Sequence, residues 1–193
     1  MPVNQMLNRF FVRWQVRALL VFGQKRTALA RVEGWLAQCP DDLMALATRA
    51  HLLAELGDRH EALQTLQRVV ALQPEGAPGW FNLGFLSEEL GLLEQAEAAF
   101  VRATQIDPKL DRAWYGLALS LIRQRRFDEA VVALRKNTEL QPMSPYGWYQ
   151  LARVHVDRQE PDEAAKIIRH LRRFEPKVAA QLERETGLGH AQA

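Results

Sequence analysis

Apolar and small residues recur along this chain at positions 4, 7, 8 and 11 of successive 34-residue windows. With Leu43, Ala77, Asp111 and Pro145 each counted as position 1, the clearest sets are Trp80, Leu83 and Gly84; Trp114, Leu117 and Ala118; and Trp148, Leu151 and Ala152. The first window has Leu46, Ala50 and Leu53, with Arg49 interrupting. At about 100° per residue these positions share one side of a helix. A second helix follows in each window, marked by Ala62 and Leu66, Ala96 and Phe100, Ala130 and Leu134, and Ala164 and Ile168. Pro74, Pro108, Pro142 and Pro176 are placed to end that helix, because proline cannot continue a hydrogen-bond ladder beyond the first turn. Gly57 and Gly91 allow the reversal between the two helices, and Gln159 replaces glycine there in the last window. Trp80, Trp114 and Trp148 supply large apolar area and are expected in the core.

Pattern and period resemble the tetratricopeptide repeat, a helix–turn–helix unit that stacks into a solenoid. The resemblance implies an all-α fold, a right-handed superhelical solenoid with repeats at 43–76, 77–110, 111–144 and 145–178. Residues 179–193 then form a capping helix (179–186) and a frayed tail from Leu188, since solenoid ends need a polar cap. Residues 1–42 read as a basic N-terminal helical hairpin, a degenerate repeat or a cap, in which residues 1–8 are a lead-in. Carried backwards, the register puts Gly23 at its turn, Ala28 at the small position, Val32 at a packing position and Pro40 at its end.

In proteins of this resemblance, the opposite side of the first helices lines a concave groove where extended or helical peptides bind. Helical phase places Phe81, Asn82, Phe85, Arg112, Tyr115, Leu119, Arg123, Tyr149 and Arg153 on that side. Aromatic and arginine side chains on a recessed surface have the composition of a binding hot spot. The other expectation for these residues is that they pack against the next repeat's first helix. Family members that grip a terminal carboxylate use five lysine, arginine or asparagine positions. Asn82 and Arg112 match two, whereas Ala47, His51 and Gly116 occupy the other three.

Net charge is only +2, but residues 1–40 hold Arg9, Arg13, Arg17, Lys25, Arg26 and Arg31 against the single acid Glu33. Between Val3 and Phe22, one apolar stripe contains Leu7, Phe10, Phe11, Trp14, Ala18 and Val21, and a second contains Val12, Val16 and Leu19. Arg9, Arg13 and Arg17 line a third edge. Both apolar stripes are expected to be buried, one against a helix at 27–38 and the other against the first good repeat. The alternatives are self-association or partner docking through the outer stripe, and peripheral attachment to an anionic membrane. Nucleic acid is disfavoured, because five net charges over 40 residues carry no recognisable binding motif.

Arg9, Arg13 and Arg17 break the N-terminal apolar run, so neither a secretory h-region nor a membrane span is legible there. Cys39 is the lone cysteine, and His51, His60, His155, His170 and His190 are scattered, with His155 at a packing position. No metal-ligand spacing, phosphate-cradling loop or nucleophile elbow occurs. The sequence therefore reads as a cytoplasmic interaction scaffold without catalysis, cofactor, metal or small-molecule substrate, binding another protein's peptide segment or helix. Richness in alanine, leucine and arginine points to a bacterial source.

Overall fold

The reversal between paired helices falls at the same register each time, and its residue is left-handed each time. Gly23, Gly57 and Gly91 have φ of 70°, 99° and 75°, while Arg125 and Gln159 adopt φ of 59° and 61° at the equivalent places. A side chain bearing Cβ is strained there by about 1 kcal/mol or more. Arg125 recovers part of this by lying 5.6 Å over the Phe127 ring. Gln159→Gly is therefore expected to stabilise the fold by about 0.5–1 kcal/mol. Urea melts would read this as a higher midpoint with an unchanged slope, and a lower midpoint would refute the strain.

The computed structural model describes residues 3–188, with side chains from residue 8. The eleven helices among them are α1 (Val3–Val21), α2 (Lys25–Leu36), α3 (Leu43–Leu56), α4 (Arg59–Leu72), α5 (Ala77–Glu89), α6 (Leu93–Ile106), α7 (Asp111–Arg123), α8 (Phe127–Leu140), α9 (Pro145–Asp157), α10 (Pro161–Leu171) and α11 (Pro176–Thr186). No strand occurs among the described residues, and the fold class is an all-α repeat solenoid. The helices group into two compact units, Met1–Gly91 and Leu92–Ala193.

Several boundaries differ from the expectation. The segment read as a lead-in is helical from Val3, and α2 begins at Lys25 rather than residue 27. Pro176 does not close α10, which stops at Leu171. It opens α11 instead, where its missing amide costs nothing because first-turn amides have no intrahelical partner. The expected tail lies outside the described residues beyond Leu188, as do His190 and the side chain of Leu7.

In each unit the small positions of the second helices lie inside the packing. Ala28 and Ala62 in the first unit, and Ala96, Ala130 and Ala164 in the second, are fully buried. Packing also buries positions that the motif had not marked: position 10 in the first unit, at Leu52 and Leu86, and positions 3 and 10 in the second, at Ala113, Ser120, Gly147 and Val154. Arg49 stands where an apolar packing residue is expected and stays largely covered, bridging Glu33 of α2 to Glu61 and Thr65 of α4. Its Nη1 donates to the Thr65 hydroxyl at 2.6 Å and its Nε to Glu33 at 3.2 Å.

The tryptophans are not the buried core residues expected. Trp80, Trp114 and Trp148 are half-buried, and each indole Nε1 donates to the carbonyl of the proline six residues earlier. These bonds, to Pro74, Pro108 and Pro142, span 2.8, 3.0 and 2.9 Å. Each latches the loop entering a repeat to the first helix of that repeat. A net contribution of about 1 kcal/mol per bond is the ordinary range. The position thus combines apolar burial with a directional lock made by the indole's edge donor.

Candidate functional site

In the first unit, α5 presents Phe81, Asn82 and Phe85 away from the buried line of Leu83, Gly84 and Leu86. The Phe81 and Phe85 rings, one turn apart, lie 6.5 Å apart at 30°. Phe85 keeps 52% of its surface exposed and Asn82 is exposed too. On the same unit, α1, α2 and α3 line a half-open pocket of about 390 Å³. Val12, Val16, Leu20 and Val32 line its apolar part, while Arg13 and Arg17 join Thr48 and His51 on its polar part.

The arginines of the N-terminal arm do not act as a set. Arg9 belongs to a structural hub at Asp42, whose side chain is 4% exposed. Arg9 Nη2 donates to Asp42 Oδ1 at 3.0 Å, Trp35 Nε1 donates to Oδ2 at 3.0 Å, and the amides of Met44 and Ala45 donate to Oδ1. Asp42 is thereby the N-cap of α3. Burial pushes its carboxyl up, but the Trp35 indole, the Ala45 amide and Arg9 together outweigh that and hold it below the usual carboxylate range. Sequence reasoning passed over this hub, although an aspartate just before an apolar helical run is a legible N-cap signal. Arg13 and Arg17 remain exposed, and among the described residues neither has an ion-pair partner.

The expectation that both stripes of α1 are buried is overturned. Val16 and, partly, Val12, Leu19 and Leu20 pack against α2 and α3. The stripe with Phe10, Phe11, Trp14 and Val21 is exposed. Packing on α2 and α3 covers one side of α1, and the opposite side keeps its apolar side chains in solvent.

In the second unit, α7 carries Arg112, Tyr115, Leu119 and Arg123. The two arginines are exposed, and Tyr115 and Leu119 are half-buried. Burial holds the Tyr115 phenol above its ordinary range, against a hydrogen bond with Gln150 of α9. Tyr149 and Arg153 of α9 are engaged by α11: the Tyr149 hydroxyl donates to Glu185 Oε2 at 2.6 Å, and Arg153 Nη1 reaches the same oxygen at 3.1 Å. Tyr149 first, then Gln181, keeps the Glu185 carboxyl below its usual range, and Arg153 adds to that. Glu185 is another residue the sequence reading missed, since helical phase says nothing about pairs 36 residues apart.

His155 is buried as expected, and its Nδ1 lies 2.7 Å from Glu160 Oε2. His170 packs between Trp148, to which it is tilted, and Phe174, which it meets edge to face. Among the described residues no three histidine, cysteine, aspartate or glutamate side chains converge into a metal-binding group. Nor is any helix there long and apolar enough to cross a membrane.

Comparison with known proteins agrees with this architecture. The tetratricopeptide-repeat family model matches residues 48–111 and 115–179, well over half of the chain. Among solved structures, MamA from Desulfovibrio magneticus RS-1 is similar at 22% identity and a TM-score of 0.78, covering 96% of this chain and 98% of that one. YrrB, described as a TPR protein with an unusual peptide-binding site, is 16% identical with a TM-score of 0.76 and covers 88% of each chain. PilW, a type IV pilus biogenesis factor, is 18% identical with a TM-score of 0.76, over 99% of this chain and 90% of that one. These identities speak for the fold alone. No curated protein matches the sequence.

Proposed function

Because the chain belongs to the tetratricopeptide-repeat family, we propose that it is a non-catalytic interaction scaffold that binds a polypeptide segment of another protein on its first-helix faces. The observation that carries this reading is aromatic surface left over after the repeats have packed. Phe85 is 52% exposed on α5, although the packing line of that helix is already filled. In the second unit, Tyr115 and Leu119 stay half-exposed between the exposed arginines Arg112 and Arg123 on one helix. Such a group offers an apolar anchor with guanidinium donors for carboxylates or main-chain carbonyls. YrrB is described as having a peptide-binding site on a similar fold, which supports this use. Tyr149 and Arg153, tied to Glu185, are assigned to seating α11, so a partner reaches them only by displacing that carboxylate.

The test begins with capture from a native lysate and identification of the retained proteins by mass spectrometry. The interacting segment is then titrated against wild type, Phe85→Ala and Tyr115→Ala. Truncating a hot-spot aromatic costs about 2 kcal/mol or more, so at least one variant is expected to bind roughly 30-fold more weakly. Unchanged affinity in both, with circular dichroism showing both folded, would remove these faces from consideration.

A further inference from the structure

Among the described residues, the exposed stripe of α1 is an apolar surface that packing leaves unexplained. Phe10, Phe11, Trp14 and Val21 keep 70%, 58%, 62% and 82% of their surface in solvent, and Phe22 just beyond the helix keeps 78%. Ala18 lies between them on the same side, opposite the buried Val16. From Phe10 to Phe22 the ridge runs for about 18 Å at 1.5 Å per residue. A continuous exposed ridge of this kind marks a surface that meets something apolar.

Charge indicates what that something is. Arg13 and Arg17 flank one side of the ridge, exposed and without ion-pair partners among the described residues. On the other flank, Arg31 of α2 donates its Nε to Gln15 at 2.7 Å, which holds a third guanidinium beside α1. The single acid of residues 1–40, Glu33, is already engaged by Arg49. Two copies meeting ridge to ridge would bring these cations together with no carboxylate between them, which disfavours self-association through this face. Exposed tryptophan and phenylalanine between arginines suit a different environment, the boundary between lipid headgroups and acyl chains.

We propose that the outward face of α1 docks on an anionic bilayer surface, lying in its plane. Phe10, Phe11 and Trp14 enter the interfacial region, and Arg13, Arg17 and Arg31 meet lipid phosphates. α1 is too polar to span a bilayer, and its inner stripe stays packed on α2 and α3. Docking therefore needs no unfolding. These residues are distinct from the polypeptide-binding faces on α5 and α7, so either reading can fail without the other.

Flotation of the full chain tests this, with vesicles of phosphatidylcholine alone and with about 30% phosphatidylglycerol added. The wild type is expected to float with the anionic vesicles and roughly tenfold less with the neutral ones. Raising the salt from about 0.1 to about 0.5 M should weaken binding by screening. Phe11→Ser/Trp14→Ser and, separately, Arg13→Gln/Arg17→Gln should each reduce the floated fraction about tenfold or more. All four positions are exposed, so both variants should keep the wild-type circular dichroism spectrum. Phe85→Ala and Tyr115→Ala should float like wild type. Absence of flotation, or equal flotation by the ridge variants, would overturn the proposal. A dimer in sedimentation velocity that the Phe11→Ser/Trp14→Ser variant abolishes, without flotation, would do the same and give the ridge to a second copy.

Discussion

Gly116→Ala is expected to destabilise the protein by about 2 kcal/mol, although alanine is normally the better helix former by about 1 kcal/mol. A Cβ at Gly116 would lie 2.5 Å from both Cε1 and Cζ of Phe100 and 3.0 Å from Cε2. Phe100 is 1% exposed and among the largest fully buried side chains, so its ring has nowhere to move. Overpacking of this kind costs about 1–3 kcal/mol, occasionally more, and here it outweighs the propensity gain. Thermal melting should show a loss of about 4–8 °C. Phe100→Leu would make room for the new methyl, so the double variant should be more stable than the sum of the two single losses. Strict additivity would mean that ring and glycine do not interlock, and an unchanged Tm for Gly116→Ala would rule out the tight contact itself.

Asp42→Ala should cost about 2–4 kcal/mol in the first unit, because one side chain serves three roles. It caps α3 through the amides of Met44 and Ala45, accepts from the Trp35 indole and pairs with Arg9. Loss of a cap costs about 1 kcal/mol. Leaving a buried indole N–H without an acceptor costs about 1–3 kcal/mol more. Against the opposing effect of burial, the carboxyl is held below its ordinary range in the folded chain by the Trp35 indole, the Ala45 amide and Arg9, which fixes the sign of the pH effect. Its ionised form adds stability that is complete above the unfolded value, about 4, and declines as pH falls through that value towards the folded one. The stability gap between wild type and Asp42→Ala should therefore be full at pH 7 and narrow below about pH 4. A gap that stays constant to pH 3 would show that the carboxylate's charge contributes nothing. Asp42→Asn, which keeps a capping oxygen, should lose less than Asp42→Ala at pH 7.

The repeat itself was readable because its rules are local. Position 8 of each first helix and Ala62, Ala96, Ala130 and Ala164 in the second helices are small residues at helical spacing, and all are buried. The spacing alone placed the reversal at Gly23, Gly57 and Gly91. What the spacing left undecided lies between elements. Trp80 was legible as a large apolar residue, but its bond to the Pro74 carbonyl follows from the path of the loop into the helix. Tyr149 was placed on a face by its phase, yet Glu185 of α11 engages it, and that pairing needs the position of a helix outside the four repeats.

The N-terminal hairpin shows the division most sharply. From the sequence, α1 had two apolar stripes and a cationic edge, and covering both stripes was the economical expectation. Whether a stripe is covered depends on how many neighbours a helix has, and periodicity within the helix carries no information about that number. The sequence by itself determined the helices, their pairing, their reversals and the small residues that let them approach, because all of these depend on backbone sterics and a 3.6-residue period. Only the tertiary structure decided that Arg9 and Trp35 converge on Asp42, that Glu185 engages the face of α9, and that the aromatic ridge of α1 stays open. Each of those outcomes rests on side chains brought together across gaps in the chain, where a distance of a few ångströms separates a buried pair from a free surface.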